Sequence, residues 1–334
     1  MNILIIRLSA LGDVILTIPV VNTLIENNTD LNIWICSDLK NKTLFDFSKR
    51  IHFIGADIKG KHSNIHKLIS LINETHSNIK FDIVYDLHDV IRSKLIRFNF
   101  LLKGVKTRKF NKGRKEKKKL ISKKIDFQKL KHTTTRYIET FKNDFDSLNI
   151  NYFYHPLLKS QKKTNPSKKT IGIAPFAAHS SKEWPLENFI PIVNHFTEHN
   201  FIFFAFGKKE IYLVNELFTC YKNSSIIDSS LNFIDQIKLI NDFNAMIVMD
   251  SANMHLASLT NTDVISIWGP THHYTGFGPL NNENNIIEIS HDKLKCRPCS
   301  IYGKINNKSK KCAKESMSKI NPEMVVKKLN EVIN

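Results

Sequence analysis

Short apolar runs alternate with stretches of helical spacing along the whole chain. Residues 2–8 form an apolar run closed by the turn Ser9-Ala10-Leu11-Gly12. From Asp13 onward Val14, Ile15, Ile18, Val21, Leu24 and Ile25 follow helical spacing, with Pro19 as the one irregularity. Runs at 31–36 and 81–87 predict further strands, with helices over 64–75, 91–102 and 132–149. A polar, proline-containing stretch at 159–169 reads as a linker, after which the alternation restarts. Strands are predicted at 170–174, 201–206, 245–249, 264–268 and 285–289. Helices are predicted over 186–199, from Gly207 and over 323–333, the last capped by Asn321 with Pro322 at its first position. This is α/β architecture in two Rossmann-like domains, 1–158 and 170–334, facing a central cleft, with the last helix a candidate to pack back on the first domain.

In such sheets ligands bind outside the carboxyl ends of the strands, and that rule selects the candidate residues. Asp13 follows the first strand and its turn; it is either a dipole-compensating helix start or a general base. Asp86-Leu87-His88-Asp89 with Arg92 ends another strand, and substrate contact or capping fits it better than a metal. Lys182 lies in the loop after strand 170–174, where it is a point charge for a diphosphate or an ordinary surface lysine. Glu210, after strand 201–206, can accept hydrogen bonds from a ribose. Asp250 and Ser251 emerge on the same side as Gly-Pro-Thr-His272-His273. Ser251 or Asn253 can cap the following helix, whose free amides suit a phosphate oxygen, and His255 falls in its first turn or so. A G-x-G-x-x-G fingerprint is absent, which argues against the usual dinucleotide fold. Asp144-Phe145-Asp146 mimics a metal-binding D-x-D, but on a helix its carboxylates point roughly 200° apart and share no cation readily.

Composition adds limits. No segment of the 334 residues has the apolar length to span a bilayer. The N-terminus lacks the basic start of a signal peptide and carries Arg7 and Asp13 inside its apolar stretch, so the chain reads as cytoplasmic. The five cysteines accordingly read as reduced thiols. Cys296, Cys299 and Cys312 supply three ligands, with His291 as a conceivable fourth, but a structural or incidental role is favoured over zinc. The net charge of +18 calls for an anionic partner. The run from Lys103 to Lys131, fourteen Lys or Arg against Glu116 and Asp126, reads as a mobile surface loop. It is a solvated face or a landing site for phosphorylated lipid at the inner membrane surface. Its sparse aromatics weaken a nucleic-acid platform, so no nucleic-acid partner is expected.

Taken together, IIRLSALGDVILTIPVV, DLHDVIRS, HTTTRYIET, APFAAHSSKEWPLENF, MDSANMHLASLTNTDVISIWGPTHHYTGFGP and the CRPCS to INPEMV tail resemble glycosyltransferase family 9, the ADP-heptose:lipopolysaccharide heptosyltransferases and their relatives. The resemblance implies a GT-B fold and inverting transfer from a nucleotide-sugar to a phosphorylated lipid acceptor. It implies no cofactor and no obligatory metal. It makes Asp13 the general base, on one turn with Ser9 and Gly12, and Lys182 the residue that neutralises the donor diphosphate. Asp250, Ser251, Ala252, Asn253 and His255 match the donor-binding motif, Glu210 is a looser match to an acid near the ribose, and His88 and Arg92 face the acceptor. Ala252 replaces the usual Gly, Ala177-Ala178 replace hydroxyl residues, and His272-His273 replace Asp-Pro, departures that bear on the choice of sugar. A monomer, peripheral on the inner face of the cytoplasmic membrane, is expected. The rival readings are a basic RNA- or membrane-binding protein with a degenerate core, and a GT-B nucleotide-sugar hydrolase or epimerase.

Overall fold

A computed structural model describes residues 1–146, 148–158, 169–307 and 309–333. The predicted linker 159–169 lies outside the described residues except for Lys169. The chain forms two compact units, Met1–Arg114 with Lys131–Lys159, and Lys115–Leu130 with Ser160–Asn334.

The N-terminal unit is built on a five-stranded, wholly parallel sheet. Its elements in order are β1 (Asn2–Ile6), α1 (Leu11–Ile15), α2 (Ile18–Asn27), β2 (Asn32–Asp38), β3 (Ile51–Ala56), α3 (Ile65–Ile79), β4 (Ile83–Asp86), α4 (Ile91–Leu102) and β5 (Lys106–Lys109), arranged β3-β2-β1-β4-β5. β1 and β4 are central and covered on both faces, which is why they read as unbroken apolar runs. Pro19 is no irregularity, because the helical stretch is two helices and Pro19 opens the second. Leu4, Ile6, Trp34 and Val84 from the sheet meet Leu68, Ile72, Ile96 and Phe100 from the helices in one core. Each such side chain, fully buried, contributes about 1.5–3 kcal/mol.

The basic run departs from a loop. Its first part is β5, an edge strand on β4, and its middle is α5 (Arg114–Ile121). Residues 115–130 belong to the C-terminal unit, although sequence order places them in the first domain. They are held there by specific contacts. Lys117 lies 4.0 Å above the Phe277 ring, Leu130 N donates to Tyr274 O at 2.8 Å, and Phe127 stacks on His291 with ring centroids 3.7 Å apart. The chain returns to the N-terminal unit at α6 (Thr133–Glu139), shorter than the predicted 132–149 helix, although Phe141, Phe145 and Leu148 are buried beyond it.

The C-terminal unit carries a six-stranded parallel sheet in the order β11-β10-β9-β6-β7-β8. Its elements are β6 (Thr170–Ala174), α7 (Ile190–His195), β7 (Asn200–Phe203), α8 (Gly207–Phe218), β8 (Ser224–Ile226), α9 (Phe233–Asn241), β9 (Ala245–Met249), α10 (Ala252–Ala257), β10 (Asp263–Trp268), β11 (Ile286–Glu288), α11 (Lys310–Ser318) and α12 (Pro322–Ile333). The predicted 186–199 helix is a 3₁₀ turn, Leu186–Phe189, followed by α7, with Pro185 and Pro191 opening the two pieces. Gly172 is required inside β6, because a Cβ there would come 2.7 Å from the Phe243 ring. α12 closes the chain. It packs on α7, β9 and β10 of its own unit, through Val325, Leu329 and Ile333 in the core with Ile192 and Ile265.

Candidate active site

In each sheet the strand order reverses once, between β1 and β4 in the first and between β6 and β9 in the second. Loops leaving the carboxyl ends of such a strand pair diverge and open a crevice. The candidate side chains other than Glu210 sit at these two places.

At the first reversal Asp13 stands in the first turn of α1, immediately after the β1 turn that includes Ser9 and Gly12. Its Oδ2 is 2.5 Å from Arg7 Nη2, while Arg7 Nη1 donates to Leu87 O at 2.8 Å, so the buried Arg7 ties the β1 and β4 ends together and aims the carboxylate. His88 follows β4. Asp86 Oδ1 accepts the amides of His88 and Asp89 at 2.9 and 2.7 Å and fixes that turn. Burial first, and then the cations Arg7, Lys112 and Arg92, push His88 down to about 3, so the ring is neutral in water near pH 7. Its buried Nδ1 has no hydrogen-bond partner among the described residues. Arg92, at the start of α4, donates to Ser63 O at 3.2 Å. Lys112 is also pushed down, by burial first and then by Arg7 and Arg114. The mouth of this sheet therefore collects an acid, a neutral imidazole and several cations.

At the second reversal Lys182 closes the 3₁₀ turn Ser180–Lys182 after β6, and Asp250 leaves β9. Lys182 Nζ lies 3.2 Å from Asp250 Oδ2, both side chains being about nine-tenths buried. Asp250 Oδ2 also accepts from Thr271 Oγ1 at 2.7 Å. Gly303, at φ +90, lies against the lysine stem so closely that a Cβ would sit 2.9 Å from Lys182 Cγ and Cδ. Ser251, Ala252, Asn253 and His255 follow Asp250 into α10. The Ser251 side chain makes no capping bond, and its buried Oγ has no hydrogen-bond partner among the described residues. Glu210 is placed differently. Its Oε2 accepts the Phe206 amide at 2.8 Å and caps α8.

The loop carrying Thr271 rests on a buried network that no local pattern announces. Arg297 is wholly buried, and its guanidinium donates to the carbonyls of Gly269, Trp268, Thr271 and Ile289 and to Glu288 Oε2. Glu288 also meets His272 Nε2 at 3.2 Å and His273 Nδ1 at 3.5 Å. Burial alone would raise the Glu288 carboxyl, but the two histidines and Arg297 hold it well below the usual carboxylate range. The thiols differ from expectation. Cys296 and Cys312 form a disulfide because α11 returns Cys312 to the 296–299 loop, and the free Cys299 Sγ lies 2.6 Å from Cys312 Sγ. Cys296, Cys299 and Cys312 form a sulfur cluster, and His272, His273 and Glu288 form a second group of potential ligands. His291 is not in the sulfur cluster among the described residues; it stacks on Phe127 and its Nδ1 faces Arg297 O. Asp144 of the D-x-D is engaged by Tyr85, Arg108 and Lys106.

A family model described as glycosyltransferase family 9 (heptosyltransferase) matches residues 71–309. The chain belongs to glycosyltransferase family 9. As a family 9 glycosyltransferase it is 25% identical over 329 residues to lipooligosaccharide heptosyltransferase 2 of Campylobacter jejuni subsp. jejuni serotype O:2, covering 97% of this chain and 95% of the relative. Two solved structures share the fold. A glycosyltransferase family 9 protein of Veillonella parvula superposes with TM-score 0.72 at 20% identity, over 99% of this chain and 97% of its own. The E. coli heptosyltransferase WaaC with ADP-2-deoxy-2-fluoro heptose gives 0.74 at 13% identity, over 99% of each chain. The two parallel α/β units are accordingly those of a GT-B enzyme. Among the described residues, no helix is long and apolar enough to cross a membrane.

Proposed function

We propose that this family 9 enzyme transfers heptose from ADP-heptose to the core of a phosphorylated, lipid-linked oligosaccharide. The observation that carries the reading is the buried Lys182–Asp250 pair at the β6/β9 reversal, where a cation with a carboxylate partner stands ready for a diphosphate. The names of the similar proteins, lipooligosaccharide heptosyltransferase 2 and a heptosyltransferase with an ADP-heptose analogue, support the donor.

The acceptor hydroxyl attacks the anomeric carbon as the bond from that carbon to the diphosphate oxygen breaks, inverting the centre. Asp13, aimed by Arg7, takes the hydroxyl proton. Lys182 exchanges part of its contact with Asp250 for the diphosphate and stabilises the charge that grows on the leaving group. Asp250, steadied by Thr271, contacts the sugar, and the amides of Ser251, Ala252 and Asn253 hold phosphate oxygens. His255 completes this donor surface, with Ser9 and Gly12 on the turn beside Asp13. Glu210, whose carboxylate already caps α8, reaches the ribose with its second oxygen. His88 and Arg92 bind the phosphorylated acceptor, His88 as a neutral hydrogen-bonding group.

Asp13→Asn keeps the shape of the site and removes the base. Turnover should fall by about 10²–10⁴-fold while ADP binding by calorimetry is unchanged. Near-normal turnover would remove Asp13 from the chemistry.

A further inference from the structure

Helix α4 presents two opposite faces. Ser93, Ile96 and Phe100 are buried against the N-terminal sheet and its core. On the other side Ile91, Leu95, Phe98 and Leu102 are 79%, 43%, 56% and 72% exposed. At about 100° per residue these four fall within an arc of about 60°, so they form one continuous apolar stripe rather than scattered surface residues. Exposed basic residues border it on both sides, Lys94 on one flank and Lys103 on the other, while Arg97 turns to the buried Asp86 at 3.5 Å. Exposed Leu101 lies just beyond the Lys94 border. A soluble surface gains nothing from such a helix, since each exposed apolar side chain forgoes the stabilisation it would gain away from water.

The geometry points to α4 as a surface-lying anchor that seats its apolar stripe in the headgroup region of an anionic bilayer, with the flanking cations on lipid phosphates. Charge decides the occupant. An apolar stripe between two basic borders, on a chain of net charge +18, fits an anionic lipid surface, whereas a second copy would bring the same cations against it. The placement also serves the chemistry. α4 begins directly after the β4 turn that carries His88, so a bilayer against its outer face lies near the crevice that receives the acceptor. This deepens the proposal of a lipid-linked acceptor and rests on it. It moves the membrane contact from the Lys103 to Lys131 run to α4, since much of that run is engaged in β5 or held against the C-terminal unit.

The test is sedimentation of the full chain with vesicles of phosphatidylcholine alone and with about one third phosphatidylglycerol. The chains compared are wild type, Leu95→Ser/Phe98→Ser/Leu102→Ser and Lys94→Gln/Lys103→Gln. Wild type should partition onto the anionic vesicles only, the apolar variant should bind at least about tenfold more weakly, and the neutralised variant should lose most of its salt dependence. All substitutions are on exposed positions, and circular dichroism melts should match wild type. Equal binding by the apolar variant, or no binding by wild type, overturns the inference. So does a wild-type dimer that the apolar variant converts to monomer in sedimentation equilibrium. Transfer to a detergent-dispersed acceptor is measured alongside: its absence with vesicle binding intact refutes the enzymatic reading alone, and its presence without vesicle binding refutes the anchor alone.

Discussion

Protonation of His272 should loosen the C-terminal unit in mild acid. The side chain is 2% exposed, its Nδ1 accepts the Tyr274 amide at 3.1 Å, and its Nε2 faces Glu288 at 3.2 Å. A ring that accepts at Nδ1 carries its hydrogen on Nε2, so the native form is the neutral tautomer that donates to Glu288. Burial outweighs the attraction of Glu288 and holds the imidazole at about 4, against an ordinary value of about 6.5. The folded value is the lower one, so between these limits the unfolded chain binds more protons than the native one. Stability from this site is therefore complete above about pH 6.5 and falls as the pH drops toward 4. Integrating the linkage from pH 7 to pH 5 gives a loss of about 2 kcal/mol, out of about 3 kcal/mol for the whole difference. Glu288 stays ionised throughout this window and adds nothing to it. His88 and His155, pushed down to about 3 and about 4 by burial, also destabilise the chain in acid. Comparison with His272→Asn cancels their share, and the Asn amide oxygen can still accept from Tyr274. Urea unfolding of both chains at pH 7 and pH 5 measures the difference. Wild type should lose about 2 kcal/mol more than the variant, and equal losses would refute the buried neutral tautomer.

Lys182→Ala should weaken ADP binding by calorimetry and lower kcat in the same chain; unchanged kinetics would place the diphosphate elsewhere. Arg297→Met leaves Glu288 without its guanidinium partner and four carbonyls without their donor, and should cost about 3–5 kcal/mol in urea unfolding; a cost under about 1 kcal/mol would show the network to be dispensable. Phe127→Ala removes the ring stacked on His291 and Tyr274. Limited trypsin digestion should then cleave within residues 115–124 several-fold faster, at unchanged melting temperature, and equal cleavage would mean that Lys117 and Leu130 suffice to hold the segment.

Legibility in the sequence followed burial. β1, β4, β6, β9 and β10 lie inside parallel sheets with both faces covered, so each is an apolar run that periodicity finds. β5 escapes because KTRK is an edge strand held by backbone bonds to β4, with no apolar side chain to mark it. β8, three residues of SSI, escapes because it is too short to show an apolar run, with Ile226 its one apolar side chain. The strand-end positions of Asp13, Lys182 and Asp250 were legible because a strand end is a local feature, and a charged residue there is conspicuous. Thr271, Glu288 and Arg297 were not, since their roles exist only once Glu288 and Arg297 fold back on the β10 end. The cysteine spacing hid the disulfide similarly, because Cys312 approaches only through the return of α11. Compositional reasoning also averaged over the basic run, whose residues have different fates: Lys106 pairs with Asp144, Lys117 lies under Phe277, and Lys118 and Lys119 remain in solvent.

Among the described residues, three of the four outermost strands have a further effect, β3 with its six residues being the exception. β5 offers four residues, three of them cationic, while β8 and β11 offer three residues each. An incoming chain seeking to extend either sheet at these margins would find a rung too brief to register or too like-charged to approach. A crowded milieu thus meets ribbons that stop growing at these ends, which guards an apolar-rich polypeptide against fibrillar stacking.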